Sequence, residues 1–150
     1  MKRILAPVFL LAVLLCGCSS SDNVVSVGLR IELNGVERAA DGTVQVSWQV
    51  ANPNVVPYLV SHTTLKVYLD GAYLGMANDE EPLGVAPSSH AGRTSRLSGG
   101  DAAAAQAVAA AGVKGSGNYR VDSVVVLRLY DEAVQRALFS NSGTVPVTAK

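Results

Sequence analysis

From residue 24 onward, apolar and polar side chains alternate over long stretches. Val25, Val27, Leu29, Ile31 and Leu33 stand at every second position, with Ser26, Arg30 and Glu32 between them. A period of two is that of a strand with one buried face. Asn34-Gly35 and Asp41-Gly42 bracket a predicted turn region. Val44, Val46, Trp48 and Val50 then alternate with Thr43, Gln45, Ser47 and Gln49, the most regular strand pattern of the chain. Trp48, the single tryptophan, belongs at the core centre, because one large ring fills much of a sandwich interior. Leu65, Val67 and Leu69 alternate with Lys66, Tyr68 and Asp70. Asp70-Gly71 is the dipeptide of a type I′ hairpin, with Ala72 to Met76 as its return strand. Asn78 to Pro87 reads as a polar loop and Arg93 to Leu97 as a short strand.

The period then changes. Asp101 opens a run of alanines and Gly112 closes it. Asp is a good N-cap, Ala has the best helix propensity, and Gly suits the position just past a helix. The pattern predicts one helix of about ten residues, roughly 15 Å long. Val108 is its one larger apolar side chain, so it adds little core. Gly115-Ser116-Gly117 leads into a long strand, Tyr119 to Tyr130. There Val121, Val125, Leu127 and Leu129 share one side, and Val124 and Val126 the other, as in a strand covered on both faces or central in a sheet. Val134 to Phe139 and Thr144 to Val147 read as two strands joined at Asn141-Ser142-Gly143. The fold class predicted is mainly β: a fibronectin-III/immunoglobulin-like antiparallel β-sandwich of about seven strands with one inserted short Ala-rich helix.

The first residues follow a different pattern. Met1-Lys2-Arg3 is a short positive segment, and Ile4 to Leu15 is apolar. This is the shape of a secretory signal and is too short for a comfortable membrane span. Leu15-Cys16-Gly17-Cys18 resembles the bacterial lipobox. That resemblance implies residues 1–17 as a lipoprotein signal peptide, Cys18 as the lipidated residue (a palmitate-bearing anchor) and 18–23 as a short tether. Residues 24–150 read as a single β-sandwich domain, with no repeat and no second domain. Ser19 resembles an outer-membrane sorting residue, which implies a bacterial envelope location with the domain in the periplasm. The other reading of the same residues is a soluble periplasmic protein with an incidental Cys. Acyl chains contribute about 0.8 kcal/mol per buried CH₂, so such an anchor is effectively permanent. Fully extended, Ser19 to Asn23 spans about 17 Å. With Cys16 removed and Cys18 acylated, no disulfide can form.

Over the whole chain Lys plus Arg equals Asp plus Glu, 12 against 12. No strong field points toward nucleic acid, and none is expected as a partner. Loss of Lys2 and Arg3 leaves the rest at about −2 (10 − 12).

The run from Val46 to Gly75 stops its alternation at Asn52-Pro53-Asn54, passes Pro57 and resumes up to Asp70-Gly71. It resembles the late embryogenesis abundant group 2 proteins, also called the WHy domain (water stress and hypersensitive response). In that family a strand ends in Asn-Pro-Asn, a Pro follows, and an alternating strand ends in a Gly hairpin. The later Pro82-Leu83-Gly84-Val85-Ala86-Pro87 and the long Val-rich strand fit the family order over about Val24 to Val147. His90 to Gly100 is less apolar than the strand at this place in the family. The resemblance implies a fibronectin-like sandwich with one helix. It also implies protection of proteins or membrane under desiccation, freezing or osmotic stress. No catalytic residues or cofactors come with it.

Asn-Pro-Asn has a structural explanation of its own. Pro53 donates no hydrogen bond, so it belongs at a bulge, a strand end or an edge. It pushes Asn52 toward extended geometry. Asn side chains can replace the ladder partners that the Pro removes. Such a site is a corner where the chain leaves one sheet for the other, and Pro53 and Pro57 would also blunt an edge strand. A ligand-contacting corner is the alternative. On the structural reading, Asn52→Ala is expected to cost about 1 kcal/mol.

Little points to chemistry. His62 and His90 are the two histidines, and neither lies in a metal-ligand spacing. Ser89-His90 adjacency is not a nucleophile–base geometry, and neither a Gly-x-Ser-x-Gly elbow nor a Walker loop occurs. Asp79-Glu80-Glu81 is a solvated loop or a weak cation site. Arg93 and Arg96 are two cations that could touch lipid phosphate. The expectation is a non-enzymatic, cofactor-free and metal-free envelope lipoprotein that contacts destabilised client proteins or membrane. The alternative is an adaptor or assembly lipoprotein that binds an envelope protein through a sheet edge.

Overall fold

The computed structural model describes residues 28–128 and 133–150. Eight strands and one helix follow in the order β1 (Arg30–Arg38), β2 (Val44–Asn52), β3 (Tyr58–Leu69), β4 (Ala72–Asp79), β5 (Leu83–Val85), β6 (Ser89–Arg96), α1 (Ala102–Lys114), β7 (Ser116–Arg128) and β8 (Val134–Ala149). The fold is mainly β with a single short helix. Hydrogen-bonded neighbours run β4-β3-β7-β8-β1-β2-β6, with β5 beside β3.

The path curls around one core. β8 is 16 residues long. It pairs antiparallel with β7 from Val134 to Pro146, and its last residues pair with β1, Val36 opposite Val147. That second pairing is parallel, so the sheet is mixed and not purely antiparallel. The two halves joined by β8 close on a shared core of Ile31, Val46, Trp48, Val50, Leu65, Val67, Leu69, Val121, Val125 and Leu127. Met76 and Ser98 exchange backbone bonds of 2.8 and 2.9 Å, which ties β4 to the segment after β6 across the open side.

Trp48 is 1 % exposed, and its indole N–H donates to Ser95 Oγ on β6 at 2.9 Å. The polar end of the ring thus has a partner inside the fold, as buried indoles need. Asp70 and Gly71 have φ of 47° and 86°, the two left-handed positions of a type I′ turn.

Four expectations are corrected. Asn34-Gly35 is no turn: β1 runs through it with a bulge between Leu33 and Gly35. The bulge shifts the alternation by one, so Val36 faces the core after Leu33. The stretch 78–87 is not all loop, since β4 continues to Asp79 and β5 pairs with β3. Val134 to Ala149 is one strand, not two. Gly143 lies opposite Tyr119 there, and a Cβ on Gly143 would come within 3.0 Å of the ring, so the Gly makes room for the ring instead of a turn. The helix continues past Gly112 to Lys114, and Gly115 with φ 77° closes it. Leu129 and Tyr130, expected in the β7 strand, lie outside the described residues, as do Cys18, Val25 and Val27.

Asp101 caps α1 by accepting from Ala104 N–H at 2.9 Å. Asp101→Ala is expected to lower stability by about 1 kcal/mol, read as a shift of the urea midpoint at constant slope. The turn at Asp41 works the same way on a smaller scale. Thr43 N–H donates to Asp41 Oδ1 at 2.9 Å and, as the main cause, lowers the carboxyl's pKa. Its contribution is present above the ordinary carboxylate range and is lost as pH falls through it.

Candidate functional site

Asn52 is the last residue of β2 and is 1 % exposed. Its Nδ2 donates to Val56 O at 2.8 Å and to Ala86 O at 3.0 Å. Its Oδ1 accepts from Asn54 N–H at 3.0 Å. One side chain therefore holds the loop 52–57 closed and ties it to the segment between β5 and β6. A further link runs from Ser88 N–H to Asn54 O at 2.9 Å. Ser88 sits at φ 49°, a left-handed position unusual for a non-glycine residue.

Pro53 and Pro57 flank this corner. β2 lies between β1 and β6, and β3 between β4 and β7. The corner thus carries the chain from one half of the curled sheet to the other. Both prolines lie between inner strands, so they do not blunt an edge as the sequence suggested. The start of the described chain is close by: a Cβ on Gly28 would come within 3.0 Å of Pro53 Cγ.

The loop exposes apolar surface. Val55 is 85 % and Val56 43 % exposed. Two valines inside a turn bounded by Asn and Pro break the rule that turns are polar, a signal already present in the sequence.

The remaining candidates are scattered. His62 on β3 lies 3.3 Å from Thr64 Oγ1, and His90 is on β6. Ser89 Oγ donates to His90 O at 3.4 Å, away from any nucleophile–base geometry. Arg93 occupies the acidic segment: its Nη1 lies 2.8 Å from Asp79 Oδ1 and 3.1 Å from Glu81 Oε2. It also donates to Pro82 O. The cation there is the chain's own, and Arg93 is thereby withdrawn from lipid phosphate. Arg96 donates to Thr43 Oγ1 at 2.9 Å. Among the described residues no three His, Cys, Asp or Glu side chains gather as a metal site. No described helix is long and apolar enough to cross a membrane.

No known protein family's sequence profile matches the chain, and no curated protein matches it in sequence. Solved structures match it in shape. The solution structure of a protein from Arabidopsis thaliana has a TM-score of 0.51 at 12% identity, covering 81% of this chain and 79% of its own. The crystal structure of a protein from Archaeoglobus fulgidus has 0.46 at 15% identity, covering 80% and 95%. A protein described as a candidate late embryogenesis abundant (LEA) protein has 0.44 at 11% identity, covering 80% and 71%. The likeness is one of fold.

Proposed function

We propose that the chain is an outer-membrane lipoprotein, anchored at Cys18, whose WHy-like domain protects proteins or membrane near the envelope during desiccation, freezing or osmotic stress. The mechanism is non-catalytic: the folded domain touches destabilised surfaces and limits their aggregation. The observation that carries this reading is the Asn52-Pro53-Asn54 corner. It ends the most regular strand and stands before an Asp-Gly hairpin, as the sequence resemblance implies, and it occurs in a β-rich fold with one helix. The lipobox at Leu15 to Cys18 supplies the location.

The test dries or freezes a labile enzyme with the chain beginning at Ser19, in parallel with an unrelated β-sandwich of equal size. The expected result is that only this protein preserves the enzyme's activity. Equal preservation by both would leave a shared fold without the protective role.

A further inference from the structure

The two outer faces of the curled sheet differ in chemistry. On the face formed by β1, β2 and β6, the register places Glu32 beside Gln49 and Glu37 beside Gln45. That face is polar and balanced in charge: Glu32 and Glu37 share it with Arg30 and Arg96, and Lys150 pairs with Glu37. On the face formed by β3, β7 and β8, side chains directly opposite one another point the same way. Leu59, Arg128 and Val134 form one row, His62, Val126 and Arg136 the next, and Thr64, Val124 and Leu138 a third.

This second face is apolar and cationic together. Leu138 is 76 %, Val134 64 % and Leu59 40 % exposed. The described residues expose six large apolar side chains, and all but Val113 of α1 lie on this face or in the corner loop that leads into it. Its charges are Lys66, Arg120, Arg128 and Arg136 against the single described acid Asp122, which lies 3.4 Å from Arg120 Nε. Among the described residues no acid pairs with Lys66, Arg128 or Arg136. Exposed apolar patches of this kind mark contact surfaces. Apolar side chains that enter the headgroup boundary, set among Lys and Arg that meet lipid phosphate, are the composition of a surface lying on an anionic bilayer.

We infer that the outer face of β3, β7 and β8, with the Val55-Val56 tip, rests on the surface of a bilayer containing anionic phospholipid. The inference rests on the anchor reading of Cys18, which supplies the geometry. Gly28 enters the domain against Pro53, at the same corner as Val55 and Val56. The ten residue steps from Cys18 to Gly28 span at most about 35 Å when extended. The corner and the face that starts at Leu59 are thereby kept within reach of the membrane. The polar β1-β2-β6 face then looks into the periplasm.

The experiment uses the mature chain beginning at the acylated Cys18, which carries no free thiol, reconstituted in phosphatidylethanolamine–phosphatidylglycerol vesicles that carry a lipid-borne fluorescence quencher. Single thiols are introduced by Leu138→Cys and Val55→Cys, and by Thr94→Cys on the polar face as reference, and each is labelled with a fluorophore. The expected result is quenching about threefold or more stronger for the first two than for Thr94→Cys, diminished when the vesicles contain phosphatidylcholine alone. Equal quenching at all three positions would overturn the inference. So would quenching confined to Thr94→Cys. Mass measurement of the N-terminal fragment separately reports whether Cys18 is acylated. If it is not, the anchor reading falls, and the same probes on the chain beginning at Ser19, added to vesicles, decide the face by the same comparison.

Discussion

Asn52→Ala is expected to lower the unfolding free energy by about 2–3 kcal/mol, the loss of three hydrogen bonds at about 1 kcal/mol each. This exceeds the value of about 1 kcal/mol that an exposed turn or cap would give. The reason is the number of bonds that one side chain makes. Asn52 is 1 % exposed, and removal of its amide orphans Val56 O, Ala86 O and Asn54 N–H together. An exposed turn or cap loses one bond, whereas here three are lost at once. Asn52→Asp costs more than Ala at neutral pH, because a carboxylate has no N–H to give and faces two carbonyl oxygens. Urea unfolding at pH 7, followed by circular dichroism, checks both. A loss below that of Asp101→Ala would show that the loop 52–57 is held by something other than this side chain.

Trp48→Ala is expected to remove about 3–5 kcal/mol, the usual cost of deleting a fully buried large ring. Against a total of about 5–15 kcal/mol for a domain of ordinary stability, this brings the fold close to its limit. The ring is 1 % exposed, belongs to the single core cluster and gives its N–H to Ser95. The variant therefore loses apolar contact and leaves a cavity between the two halves of the sheet. Trp48→Phe keeps most of the ring volume and is expected to cost much less. Since Trp48 is the single tryptophan, far-UV circular dichroism and not fluorescence is the measurement. A Trp48→Ala protein with an unchanged urea midpoint would mean that the halves can close without the ring.

The two predictions concern residues that the sequence singled out, but for which it supplied different amounts of information. For Trp48 the alternation alone placed the ring on the inner face. For Asn52 it marked a broken ladder and not the partners. Ala86 is 34 positions away, and only the closure of the β5–β6 connection over the corner brings its carbonyl there. The segment His90 to Gly100, less apolar than the resemblance leads one to expect, is explained by its place. β6 is the last strand of the path, and beside Ala91 its inner side chains include Arg93 and Ser95, which find polar partners in Asp79 and Trp48.

The sequence by itself determined the elements with local causes. The inner face of β2, and of β1 up to Leu33, follows from the period of two, the β3–β4 turn from the left-handed positions that Asp70 and Gly71 tolerate, and the start of the helix from Asp101. The tertiary structure decided what depends on distant partners. Gly35 became a bulge because β1 stays paired with β2 through it, and Gly143 became part of a strand because Tyr119 packs opposite. The parallel pairing of β1 with the end of β8 arose only on closing the curl. Alternation says which side chains share a face of one strand. Which strands are neighbours, and in what register, is set by packing across the whole core. For that reason the joined apolar and cationic face of β3, β7 and β8 became visible only in the fold.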